Sequence, residues 1–189
     1  MNHRKILAIA VGATLAGFGA QAALAHGGGK TTFVAGMSGY EETPTTLSTP
    51  GSGEFAAKVS KDGTRIDWVL TYRNLESDVT QAHIHFARPA ISGPIVLFLC
   101  TNLGNAPTTV PTPQPCPVAG GTISGSLTQA DVIARPDSGI DSGAVGFAEM
   151  VKAIRNGAAY ANVHTAGRPT GEIRGGLGKV QDDDEDDDD

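Results

Sequence analysis

The stretch Thr64-Arg65-Ile66-Asp67-Trp68-Val69-Leu70-Thr71-Tyr72-Arg73-Asn74-Leu75 decides the fold. Ile66, Trp68, Leu70 and Tyr72 fall on one side of an extended chain, and Arg65, Asp67, Val69, Thr71 and Arg73 on the other. Side chains alternate across a strand, so this period of two predicts a β-strand with one face in a core and one toward water. Shorter segments of the same kind lie at 31–38, 53–60, 81–87, 94–99, 121–127, 159–164 and 172–177, bounded by Gly, Pro and Asn. About eight short strands with turns between them predict an all-β domain, an antiparallel Greek-key β-sandwich or barrel.

One segment breaks the alternation. Phe147, Met150, Val151 and Ile154 recur at i, i+3, i+4 and i+7, and Gly157 follows, which predicts a short amphipathic helix closed by a glycine. Its apolar stripe is expected to pack into the core. Thr128-Gln129-Ala130-Asp131 has the form of a capping box and predicts a short helical turn.

The chain of 189 residues divides into three parts. Residues 1–25 carry Arg4 and Lys5 and then an apolar, Ala-rich run, the pattern of a secretory signal peptide and too short for a stable bilayer span. Small residues suit cleavage after Ala25 or, alternatively, after Ala22. Residues 26–180 form one domain of ordinary size, and residues 181–189 form an acidic tail expected to be disordered, because adjacent like charges repel with nothing apolar to offset them. The tail is read as a solubilising segment, the alternative being weak binding of divalent cations or of a basic surface. Without the leader's two cations and the tail's eight acids, the body carries twelve basic and twelve acidic residues. A neutral body with no basic cluster argues against nucleic acid as a partner. No membrane span is expected once the leader is removed.

Cys100 and Cys116 both lie in the exported part, and an oxidising compartment favours a disulfide between them, across a loop rich in proline. Two free thiols or a soft-metal pair are the alternatives, the second lacking the Cys-x-x-Cys spacing. Of the five histidines, His3 lies in the leader and His26 at its junction with the domain; the other three, at 83, 85 and 164, each fall in a predicted strand. In Ala82-His83-Ile84-His85-Phe86 both imidazoles share one strand face, and in Tyr160-Ala161-Asn162-Val163-His164 the alternation puts Tyr160, Asn162 and His164 on one face. If the two strands are neighbours, His83, His85 and His164 make a three-imidazole site suited to copper or zinc, copper first. The competing account is that the three rings merely hydrogen-bond within the fold. Glu172 is a further ligand candidate, and His26, as a new N-terminus, would offer an α-amine and an imidazole to Cu(II).

Three stretches together resemble the signatures of the CHRD (chordin-type) domain family: Met37-Ser38-Gly39-Tyr40-Glu41-Glu42-Thr43-Pro44, Ala82-His83-Ile84-His85, and Tyr160-Ala161-Asn162-Val163-His164-Thr165 followed by Gly171-Glu172-Ile173-Arg174-Gly175. The resemblance runs from about Thr31 to Leu177 and implies an extracytoplasmic β domain, found in animals within a growth-factor antagonist and in bacteria as single-domain secreted proteins. It implies no catalytic mechanism. Glu42, Glu172 and Arg174 belong to these stretches and are read as structural, forming a salt bridge or orienting a histidine.

No Gly-x-Ser-x-Gly elbow and no phosphate-binding glycine loop followed by a helix is present. Binding is therefore expected before catalysis. The leading expectation is an exported, periplasmic or secreted domain holding one copper or zinc ion. One alternative is a metal-free module for an extracytoplasmic protein or surface partner, and another is a copper redox enzyme of the superoxide-dismuting type. Mass spectrometry of the exported protein should find a chain beginning at His26; a chain beginning at Ala23 would place the cleavage after Ala22 and remove the N-terminal copper site.

Overall fold

The computed structural model describes residues Thr32–Lys179; the leader, His26 and the acidic tail lie outside the described residues. Nine strands form one antiparallel sheet: β1 (Thr32–Ser38), β2 (Ser52–Val59), β3 (Arg65–Arg73), β4 (Val79–Phe86), β5 (Ile95–Thr101), β6 (Gly121–Thr128), β7 (Ala159–Thr165), β8 (Ile173–Gly176) and β9 (Gly178–Lys179). Eight of them follow the order β5-β4-β7-β8-β1-β2-β3-β6, and β9 pairs with β1. The sheet curls into a nearly closed barrel. The expected strands all appear with ends moved by one or two residues, and the two-residue β9 is an addition that the alternation did not signal.

The opening stretch behaves as its pattern requires. Ile66, Trp68, Leu70 and Tyr72 of β3 are buried beside Phe55, Ala57 and Val59 of β2 and Phe33, Ala35 and Met37 of β1. On the other face of β3, Thr71 bonds to Thr122 and Asp67 accepts from Ser126, ordinary cross-strand pairs on a solvated surface.

The two edge strands, β5 and β6, are joined across the barrel's open seam by the segment between them. Thr101 N–H donates to the Gln114 carbonyl, and the Gln114 amide donates to the Ser124 carbonyl. The Asn102 side chain acts as a clip: its amide donates to the carbonyls of Val79 and Cys116, and its oxygen accepts from Cys116 N–H. Cys100 and Cys116 are disulfide-bonded and both buried in the core. The proline-rich segment thus occupies the place where two sheet edges would otherwise lie unpaired.

The helix α1 spans Gly143–Arg155, one turn longer at its start than the apolar stripe indicated, and buries Phe147, Met150, Val151, Ala153 and Ile154. At its end Gly157 adopts φ +67°, Gly157 N–H bonds to the Ile154 carbonyl and Ala158 N–H to the Ala153 carbonyl. This is the paired bonding of a Schellman cap, which a left-handed glycine permits. The capping box at Thr128 and Asp131 is present, with a 3-10 turn over Gln129–Asp131. Among the described residues no helix is long and apolar enough to cross a membrane.

The 16-residue separation of the bridged cysteines predicts a measurable effect. Thiol labelling of the denatured, unreduced protein should find no free thiol. Replacing both cysteines by alanine should lower unfolding stability by about 3 kcal/mol, the loop-entropy value for a ring of this size. Two reactive thiols per chain would refute the bridge.

Candidate metal centre

The site is built by the pairing of β4 with β7. Their register sets His83 opposite Asn162, His85 opposite Tyr160 and Gln81 opposite His164. Directly opposed residues of an antiparallel pair point to the same face. His83, His85 and His164 therefore stand on one face, while Ala82, Ile84, Ala161 and Val163 face the apolar core. The row continues sideways, since Arg174 of β8 is opposite Asn162 and Phe98 of β5 is opposite His83.

That face is turned away from the core and is nevertheless buried. His83 is wholly inaccessible, and His85, His164, Asn162, Arg174, Tyr160 and Phe98 are each no more than 7 % exposed. The segments after β4 and after β7 supply partners to the rings. His85 Nδ1 lies 2.9 Å from the Gly93 carbonyl, and His164 Nδ1 lies 3.0 Å from the Pro169 carbonyl. A carbonyl only accepts, so in both rings Nδ1 carries the proton and Nε2 keeps its lone pair. Gly93 has no room for a side chain, because a Cβ there would stand 2.0 Å from the Phe86 carbonyl oxygen. A glycine at this position allows the close approach that brings its own carbonyl to His85.

The candidate ligand nitrogens of the three histidines lie within 4.8 Å of one another. Three nitrogens around one ion at about 2.0 Å stand about 3.3–3.5 Å apart, so small side-chain rotations would close the set. Within this group four buried imidazole nitrogens have no hydrogen-bond partner among the described residues: Nε2 of His85, Nε2 of His164 and both ring nitrogens of His83. Each buried polar atom left unpaired costs about 1–3 kcal/mol.

The rings are held from outside by stacking. Tyr160 lies parallel to His85 with ring centroids 4.6 Å apart, and the Arg174 guanidinium sits 3.4 Å over the Tyr160 ring. Tyr160 Oη accepts from Gly93 N–H, and Arg174 donates to Thr43 Oγ1 and the Ile91 carbonyl. On the other side Phe98 meets His83 edge to face at 4.5 Å. Arg174 is thus a clamp on the ring that orients His85, and it forms no salt bridge with Glu172. The Glu172 carboxylate accepts from Glu76 N–H and Thr165 Oγ1, apart from the histidine group. Glu42 accepts from Asn162. The two backbone carbonyls, the Tyr160–Arg174 stack and Phe98 carry no mark in the sequence beyond the shared strand face of Tyr160 and His164.

Burial sets the protonation. It pulls His83 well below the usual imidazole range, helped by the charges His164 and His85 would carry. Burial likewise lowers His164 and brings His85 down to about 4, against the raising effect of the Gly93 hydrogen bond. All three are neutral at pH 7, as metal ligands must be. Burial raises Glu42 to about 7, opposed by the hydrogen bond from Asn162 and the charge of Arg174.

The linkage has a definite sign in the metal-free protein. A histidine whose folded pKa is depressed contributes full stability above the unfolded value near 6.5, lost as pH falls toward the folded value. Glu42, with its folded pKa raised, acts oppositely between about 4.5 and 7. Three histidines outweigh one carboxyl, so the melting temperature should fall steeply as pH drops from 6.5 to 4. Each histidine contributes up to about 1.4 kcal/mol per pH unit, and His83→Phe should flatten this acid limb. A melting temperature level across that range would contradict the assigned burial of the imidazoles.

The CHRD domain model matches residues 33–177, from the second residue of β1 to just past the end of β8, and includes His83, His85 and His164. No curated protein and no solved structure matches the chain. A match over most of the chain, on a barrel whose β4–β7 pair carries the signature histidines, makes this protein a member of the CHRD domain family.

Proposed function

We infer that this CHRD domain is an exported binding protein that holds one transition-metal ion, copper before zinc, through His83, His85 and His164. Membership in the family supports a binding module. The observation that carries the metal is the set of four buried, unpartnered imidazole nitrogens on three converging rings. An ion accepting one lone pair from each ring would relieve most of the cost of leaving them bare, and no protein donor among the described residues does so. Two of the three rings have the tautomer that a metal needs, set by carbonyls at Nδ1.

Export rests on the leader pattern in residues 1–25 and on the buried disulfide, which persists in an oxidising compartment. In the periplasm or outside the cell such a domain would bind metal or present it to a partner.

Protein purified without an affinity tag should bind one equivalent of copper or zinc. His85→Ala should abolish that binding with the β-sheet circular dichroism unchanged, and affinity should decline in acid as protons compete for the same nitrogens. Unchanged stoichiometric binding in His85→Ala would transfer the metal to another site. Absence of binding in the parent protein would leave a metal-free interaction module as the function.

A further inference from the structure

We propose that the three-histidine centre is specific for Cu(I), held three-coordinate and closed to water, and that the domain carries copper in its reduced state without cycling it. The inference rests on the metal site proposed above and adds the ion's charge and coordination number.

Imidazole by itself does not choose between zinc and copper, nor between the two states of copper. The surroundings do. All three ligands are neutral, and no carboxylate or thiolate joins their group among the described residues. The buried acids of this region, Glu42 and Glu172, are turned to Asn162 and to Thr165 and Glu76 N–H. A bound ion would therefore keep its whole charge in a buried site. The desolvation cost grows with the square of the charge, so a dication suffers about four times the penalty of a monocation. Arg174 adds a fixed positive charge one ring away, across Tyr160 from His85, and repels a dication twice as strongly as Cu(I).

Coordination number points the same way. Zn(II) takes a tetrahedral set, and Cu(II) a tetragonal one, so each needs at least one ligand beyond three imidazoles. The candidate nitrogens are shut off from solvent, with the edge of Phe98 against His83 and the face of Tyr160 against His85. A hydroxide or water would have to displace this packing to reach the ion. A d¹⁰ monocation accepts three nitrogens in a plane and asks for neither a fourth ligand nor a counter-charge. A centre that disfavours the divalent state and admits no fourth ligand is poorly made for turnover, which argues against the superoxide-dismuting alternative.

The test is an anaerobic titration of the full mature chain with Cu(I) against a chromophoric Cu(I) chelator, with parallel titrations of Zn(II) and Cu(II). His85→Ala and His164→Gln serve as baselines that subtract binding by His26 or the acidic tail. Expected are one Cu(I) bound at least 100-fold more tightly than Zn(II), and an X-ray absorption spectrum with three nitrogen scatterers and no fourth ligand. Arg174→Met, which removes the charge and leaves an apolar cover, should raise Zn(II) affinity relative to Cu(I) by about tenfold. If Zn(II) or Cu(II) binds at these histidines as tightly as Cu(I), or if a fourth light ligand appears, the Cu(I) inference fails while the metal site stands. If none of the three ions binds, both fail.

Discussion

The register between β4 and β7 is the constraint on which the rest of the site depends. One step of slippage in that pairing would turn His83 and His85 into the barrel and expose Ala82 and Ile84 to the loops. The core prevents this, because Ala82, Ile84, Ala161 and Val163 are all fully buried in it. Apolar packing on one face thereby fixes the chemistry on the other. The histidines need no interaction of their own to choose their side of the sheet; they inherit it from the residues between them.

What distinguishes this end of the barrel is burial on both faces of the same strands. Every residue of β7 is buried, whereas β3 keeps the alternation of buried and partly exposed positions. Around β3 the outer face meets water and is satisfied by hydroxyls and carboxylates at low cost. Around β7 the outer face is roofed by the segments after β4 and β7 and by the turn that carries Glu42 and Thr43. The roof has consequences for every polar group under it. Asn162 and Arg174 find partners, Glu42 takes up a proton more readily, and the imidazoles lose theirs.

The Arg174–Tyr160–His85 stack links two of the family's signature stretches through a single line of contacts. Gly176, opposite Tyr160 on β8, has no side chain to compete for the Tyr160 face, and Arg174 two residues earlier lies over that ring. His85 is thus held by a hydrogen bond at one edge and an aromatic face at another, leaving Nε2 the free end. Rings fixed in this way keep their orientation before any ligand arrives, which is how a rigid strand pair pre-organises a binding site.

The strands, the helix, the disulfide partners and the shared face of His83 and His85 were legible in the sequence by itself. Each is a local property: the period of side chains along one strand, the spacing of apolar residues along one helix, the presence of only two cysteines in the body. The Schellman glycine at Gly157 and the capping box at Thr128 belong to the same class, since a cap is made by residues within a few positions of each other. Whether β7 would lie beside β4 was undecidable from period alone, because about seventy residues separate them and an alternating strand fits any antiparallel neighbour. Only the tertiary structure decided that pairing. Only it brought in the Gly93 and Pro169 carbonyls, because a backbone group has no letter in the sequence. It also turned Glu172 toward Thr165 and away from the imidazoles, because which partner a buried carboxylate finds depends on the loops that cover it.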